Sequence, residues 1–94
     1  MILTIKHKGL HLFWTKGTSG KIPADQRNKI RLILDVLNDA NEIPDDLLPF
    51  RNWNTHKLTG NYVGFWSVTV KENWRIIFRF DDKNILDIDL VDYH

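Results

Sequence analysis

Residues 62–80 read Tyr-Val-Gly-Phe-Trp-Ser-Val-Thr-Val-Lys-Glu-Asn-Trp-Arg-Ile-Ile-Phe-Arg-Phe, and the period of this stretch decides the fold. From Tyr62 to Val70 the side chains alternate, with Trp66, Val68 and Val70 on one face and Phe65, Ser67 and Thr69 on the other. Lys71-Glu72-Asn73 is short enough to close a hairpin. Beyond it Trp74, Ile76, Phe78 and Phe80 share one face, and Arg75, Ile77 and Arg79 the other. A period of two with one apolar face marks strands half-buried against another layer. Asp81-Asp82-Lys83-Asn84 turns the chain again, after which Leu86, Ile88 and Leu90 alternate with Asp87, Asp89 and Val91. The pattern predicts a three-stranded antiparallel meander, extended by residues near Trp53–Leu58. If Val70 and Trp74 pair across the turn, Thr69, Lys71, Arg75, Arg79 and Tyr93 share one polar, cationic surface.

Upstream of the meander the period changes. Ile2 to Ile5 is a short β-prone start. From Lys6 onward, Leu10, Phe13 and Trp14 recur at helical spacing, and Gly17 with Thr18-Ser19-Gly20 ends that helix. Pro23 suits the first turn of a second helix running to about Asn41. Its apolar stripe is Ile30, Ile33, Leu34, Leu37 and Ala40, with Asp25, Arg27, Lys29 and Arg31 largely off it. Pro44-Asp-Asp and Pro49 mark a turn-rich connection. The expected class is α+β: two N-terminal helices packed on the even-numbered face of a twisted antiparallel sheet.

Ninety-four residues make one domain, residues 1–94, with a single core. The chain has no cysteine, so disulfides and thiolate metal sites are excluded. No apolar run approaches the ~20 residues of a membrane span, and the N-terminus lacks the order of a signal peptide. A cytoplasmic protein with no membrane partner is expected. The net charge of +1 conceals strong blocks: +5 over residues 1–35, −4 over 36–50, +4 over 51–80 and −4 over 81–94. A nearly neutral chain patterned in this way is able to present a basic face.

Cutting RNA without a metal needs a base for the ribose 2′-hydroxyl, cations for the phosphate and an acid for the leaving oxygen. The residue types that serve are His56, His94, Tyr93, Lys71, Arg75 and Arg79, with Lys57 nearby. Each also has an ordinary reading. Arg75 and Arg79 are solvated or pair with Asp87 and Asp89, and Lys71 is a turn lysine. Tyr93 and His94 fray at a terminus, and His56 is a half-buried, satisfied histidine. His7 and His11 have no evident third ligand and read as surface histidines, so neither metal nor cofactor is expected. There is no phosphate-cradling glycine loop, zinc spacing or Ser/His/Asp order. Trp and Phe at strand period read as core. Phe65, on the open face, is the exception and is placed to stack on a base.

The hairpin from Gly64 to Phe78 resembles the signature hairpin of RelE-like toxins, and Val91-Asp-Tyr-His94 is similar to the ending of their HigB branch. Ile5-Lys-His-Lys-Gly-Leu10 and His56-Lys-Leu-Thr-Gly60 fit the same branch, so the resemblance spans essentially the whole chain. It implies a RelE-like fold and a toxin that cuts messenger RNA in the ribosomal A site. Carried over, Arg75 stabilises the scissile phosphate with Lys71 beside it, and Tyr93 orients or stacks on the nucleotide. His56 and His94 are the acid–base candidates, Asp92 positions the tail, and Lys57, Arg79 and Phe65 bind RNA. The implied partners are a HigA-like helix-turn-helix antitoxin, the 70S ribosome with its message, and operator DNA reached mainly through the antitoxin. One position departs from the branch: a lysine commonly precedes the glycine that is Gly60, and here Thr59 stands there. Two other readings share the fold, a ParE-like gyrase poison and a catalytically inactive antitoxin-binding module.

Overall fold

The computed structural model describes residues 1–92; Tyr93 and His94 lie outside the described residues. Those residues form two α-helices, α1 (Lys8–Lys16) and α2 (Arg27–Asp39), and four strands. The strands are β1 (His56–Lys57), β2 (Trp66–Lys71), β3 (Trp74–Asp81) and β4 (Asn84–Asp92). The sheet is antiparallel throughout, in the order β1-β2-β3-β4.

The expected hairpin is present, with its register moved by one residue at the turn. Ser67 pairs with Ile77 and Thr69 with Arg75, but Lys71, not Val70, stands opposite Trp74. A bulge between Thr69 and Lys71 absorbs the extra residue, and the turn shrinks to Glu72-Asn73. Glu72 takes the left-handed φ of 52° that such tight turns demand. Val70 stays in the core, so Lys71 is carried off the Thr69–Arg75 face.

A second bulge re-aims β4. Ile77 pairs with Asp89 but Arg79 with Leu86, which leaves one extra residue in β4. Asp87, with φ 53°, absorbs it. Thr4 holds the kink: its Oγ1 accepts from the Asp87 amide at 2.7 Å and donates to Asp87 Oδ1 at 3.3 Å. The buried residues of β4 are therefore Ile85, Ile88 and Leu90, rather than Leu86, Ile88 and Leu90. The β-prone N-terminus lies along this strand, through parallel bridges from Ile2 to Ile85 and from Ile5 to Ile88.

α1 starts at Lys8 because His7 caps it: Nδ1 accepts from the Leu10 amide at 3.1 Å. It stops at Gly17, whose φ of 72° lets its amide return to Phe13 O at 3.1 Å. α2 begins later than its sequence pattern implies. No side chain caps the turn after Pro23, and Ala24–Gln26 tightens into a 3₁₀ turn before Arg27. Leu10 and Phe13 of α1 join Ile30, Ile33, Leu34 and Leu37 of α2, with Val68, Val70, Ile76, Phe78, Ile85, Ile88 and Leu90 of the sheet, in one core. Phe78 is fully buried at its centre. Phe78→Ala should destabilise the protein by about 3–5 kcal/mol, read as a lower urea midpoint with an unchanged slope.

Between α2 and β2 the chain forms short 3₁₀ turns rather than a longer strand. Trp53, expected near an extra strand, is instead buried in the turn Arg51–Trp53 and stacks on Phe50 with ring centroids 4.1 Å apart. Asp46 organises the connection, its Oδ2 accepting from the amides of Asn41 (2.8 Å) and Glu42 (3.0 Å). The Glu42 amide first, then that of Asn41, holds this carboxyl below the usual carboxylate range. A depressed carboxyl stabilises the fold above its unfolded pKa, and that contribution is lost as pH falls through the folded value. Asp46→Ala should lower the urea midpoint at pH 7, and the gap to wild type should close at pH well below the carboxylate range. No helix among the described residues is long and apolar enough to cross a membrane.

Candidate functional site

The sheet face turned away from the helices is laid out in rows by the strand register. One row runs Thr69, Arg75, Val91, and the next His56, Ser67, Ile77, Asp89; Arg79 opposite Leu86 lies beyond. Arg75 and Arg79 are four residues apart on β3, so their Cα atoms stand roughly 13 Å apart. His56 sits two strands away on the edge, roughly 10 Å to the side and level with the gap between the arginines. The middle of the face is closed: Ser67 and Ile77 are buried although neither belongs to the core under the helices. Sequence alternation alone reads them as solvated.

The two arginines differ electrostatically. Arg75 is half-buried, and its Nη1 donates to Glu72 O and to Trp74 O, the latter at 3.2 Å. Both acceptors are neutral carbonyls, so these bonds orient the guanidinium without neutralising it. Arg79 is exposed and pairs with Asp87 at 3.3 Å, the ordinary reading made actual. His56 is exposed, and its Nδ1 lies 2.7 Å from Asn54 O. A carbonyl only accepts, so Nδ1 carries the proton, and in the neutral ring Nε2 is the basic nitrogen. Asn54 presents that carbonyl from a left-handed conformation, φ 48° and ψ 50°. Asn54 is not among the residues that the sequence singles out, although tolerance of that conformation is the asparagine signal that points to it.

The remaining candidates are dispersed. Lys57 pairs with Trp66, which places it on the helix side of the sheet, and its Nζ lies 5.4 Å from the centre of the Trp66 ring. Lys71 forms an ion pair with Asp25 in the turn before α2, a partner the sequence did not indicate. The hydrogen bond to Lys71 is the main cause that lowers the Asp25 carboxyl below its usual range, and the same contact raises the Lys71 ammonium. Both groups are solvent-exposed, so the pair is a tether for Lys71 more than a source of stability. Asp92 stands opposite Trp74, on the helix side of β4. Phe65 is half-buried and packs edge-on against Tyr62, with centroids 6.2 Å apart. Thr59 is exposed and leads into the 3₁₀ turn Gly60–Tyr62. Tyr93 and His94, both candidates, fall outside the described residues. His7 is committed to capping α1. Among the described residues no three His, Cys, Asp or Glu side chains converge as metal ligands.

The sheet thus brings together one oriented guanidinium, a second that is offset by a carboxylate, an imidazole of defined tautomer and an aromatic ring. Such a surface is equipped to bind a phosphate and move a proton. Solved structures share its architecture. YafQ from E. coli strain BL21(DE3) superposes with a TM-score of 0.61 at 17% identity, over 98% of this chain and 91% of that one. The YoeB–YefM complex from Staphylococcus aureus gives a TM-score of 0.58 at 18% identity, over 100% of this chain and 95% of that one. The chain shares its fold with both. At the level of sequence, residues 3–94 match the family described as RelE-like toxin of type II toxin–antitoxin system HigB. The chain is 37% identical to Endoribonuclease HigB of Proteus vulgaris, over 94 residues covering 100% of both chains. It belongs to the HigB-like toxin family.

Proposed function

We propose that this toxin, acting as a single domain, is a ribosome-dependent messenger-RNA endonuclease that cuts in the A site and stops translation. The observation that carries the reading is the pairing of Arg75, oriented by neutral carbonyls, with His56, whose tautomer Asn54 fixes, on one sheet face. The reaction is metal-independent transesterification. Nε2 of His56 takes the 2′-hydroxyl proton, and the 2′-oxygen attacks the adjacent phosphorus. The 5′-oxygen leaves with a proton, giving a 2′,3′-cyclic phosphate and a 5′-hydroxyl. His94 supplies that proton. Tyr93 orients the nucleotide and Asp92 positions the tail. Arg75 meets the negative charge that grows on the phosphate, where its planar fork donates two parallel bonds. Arg79 and Phe65 hold the flanking strand. Lys71 and Lys57 contribute from the margins, Lys71 once it exchanges Asp25 for phosphate.

The ribosome does the positioning. Affinity for naked RNA rests on phosphate neutralisation, and this chain carries a net charge of only +1. Purified message without ribosomes should therefore be cut far more slowly. The toxin works in the cytoplasm and is held in check by a HigA-like helix-turn-helix antitoxin, through which the pair reaches operator DNA.

Expression of the chain without an antitoxin, followed by sequencing of cellular 5′-hydroxyl ends, tests the reading. Growth arrest with cuts confined to translated regions is the expected result. Arrest with intact message and accumulated gyrase–DNA complexes would instead identify a gyrase poison, and unimpaired growth an inactive binding module.

A further inference from the structure

Beyond Arg79 the open face ends in a cleft of about 530 Å³, lined by Val63, Gly64, Phe65, Arg79, Phe80 and Asp81. Sites for small ligands typically measure ~300–1,000 Å³. The mechanism above needs Arg79 and Phe65 only as general contacts with the strand and makes no use of the cleft's shape or of Asp81. Resting on the nuclease reading, we propose that this cleft holds one unstacked base of the message and that Asp81 selects which base is accepted.

Each wall has a part. Phe65 is held edge-on by Tyr62, at an interplanar angle of 79°, so its ring is a preset platform for stacking. Gly64, with φ 92°, is in a conformation that side chains rarely adopt, and it leaves bare backbone where the base enters. Val63 is 75% exposed and gains no burial in the free protein; a base in the cleft gives it something to cover. Arg79 is braced by Asp87 at the mouth and meets the phosphate of the same nucleotide. Asp81 has only acceptor oxygens. Adenine, cytosine and guanine all offer an exocyclic amino group to it, whereas uracil has only its N3–H, flanked by the acceptors O2 and O4 that a carboxylate repels, and is disfavoured. Arg79 is roughly 13 Å along the strand from Arg75, so the selected base is not the one beside the scissile phosphate but one farther along the message.

The test is cleavage of messages randomised across the A-site codon and its neighbours, programmed in ribosomes, with the cut ends sequenced. Wild type should show depletion of uracil at one fixed position from the cut. In Asp81→Asn the amide is able to donate to uracil O4, and that depletion should relax by about fivefold or more. Phe65→Ala should slow cleavage by about fivefold or more at all sites. Asp82→Asn, in the adjoining turn and not lining the cleft, should keep the wild-type spectrum. Wild-type cleavage with an unchanged base spectrum in Asp81→Asn overturns the base-selecting cleft and leaves the nuclease intact. Absence of cleavage by folded wild-type protein overturns the nuclease reading and this inference with it.

Discussion

Arg75→Ala is expected to slow cleavage of ribosome-bound message by about 10²–10³-fold, the usual loss when one preorganised donor to a transition-state charge is removed. The substitution should leave the urea midpoint close to wild type. Arg75 is half-buried, and the carbonyls it contacts, those of Glu72 and Trp74, lie at a hairpin turn where water replaces the lost donor. Arg75→Lys should recover only part of the rate, because an ammonium is a point charge and cannot grip two phosphate oxygens in parallel. Arg79→Ala should cost less than Arg75→Ala, because Asp87 already offsets the Arg79 charge. Single-turnover rates with saturating ribosomes separate these effects from binding.

His56→Ala should lower the same rate by about 10²–10⁴-fold, the range for loss of a positioned acid or base. The ring is exposed, so its removal leaves the core intact. Added imidazole should restore part of the activity of His56→Ala, which a purely structural role would not allow. The supporting residue is testable in parallel. Asn54→Gly keeps access to the left-handed conformation and should stay near wild type, whereas Asn54→Ala strains it and should lose rate through misplacement of the carbonyl that fixes the His56 tautomer.

Much of the fold is legible from periodicity. The helix positions Leu10, Phe13, Ile30, Ile33, Leu34 and Leu37 and the strand positions Val68, Val70, Ile76 and Phe78 are all buried as their spacing predicts. The errors arise where one residue is added to a strand. Alternation has no means of registering a bulge, and each bulge inverts the parity of the residues beyond it on the same strand. The bulge before Lys71 sends that lysine to Asp25 instead of to Arg75, and the bulge at Asp87 buries Ile85 in place of Leu86. The face of Lys57 was not legible at all, and β1 pairs His56, not Lys57, with the open-face residue Ser67. Arg75 and His56 are candidates by residue type and family motif. The contacts that orient them, a carbonyl from Asn54 and carbonyls at the hairpin turn, come from backbone, which carries no sequence label. Asn54 alone left a trace, as a residue suited to left-handed backbone.

Ribosome-dependent cleavage at the sheet face is tested most directly by primer extension on a defined message programmed in 70S ribosomes, with wild type and Arg75→Ala side by side. Wild type should make A-site cuts that disappear in a folded Arg75→Ala variant, with little cutting when ribosomes are omitted. Undiminished cuts in that variant would contradict the sheet-face site, and no cuts by folded wild-type protein would contradict the nuclease itself.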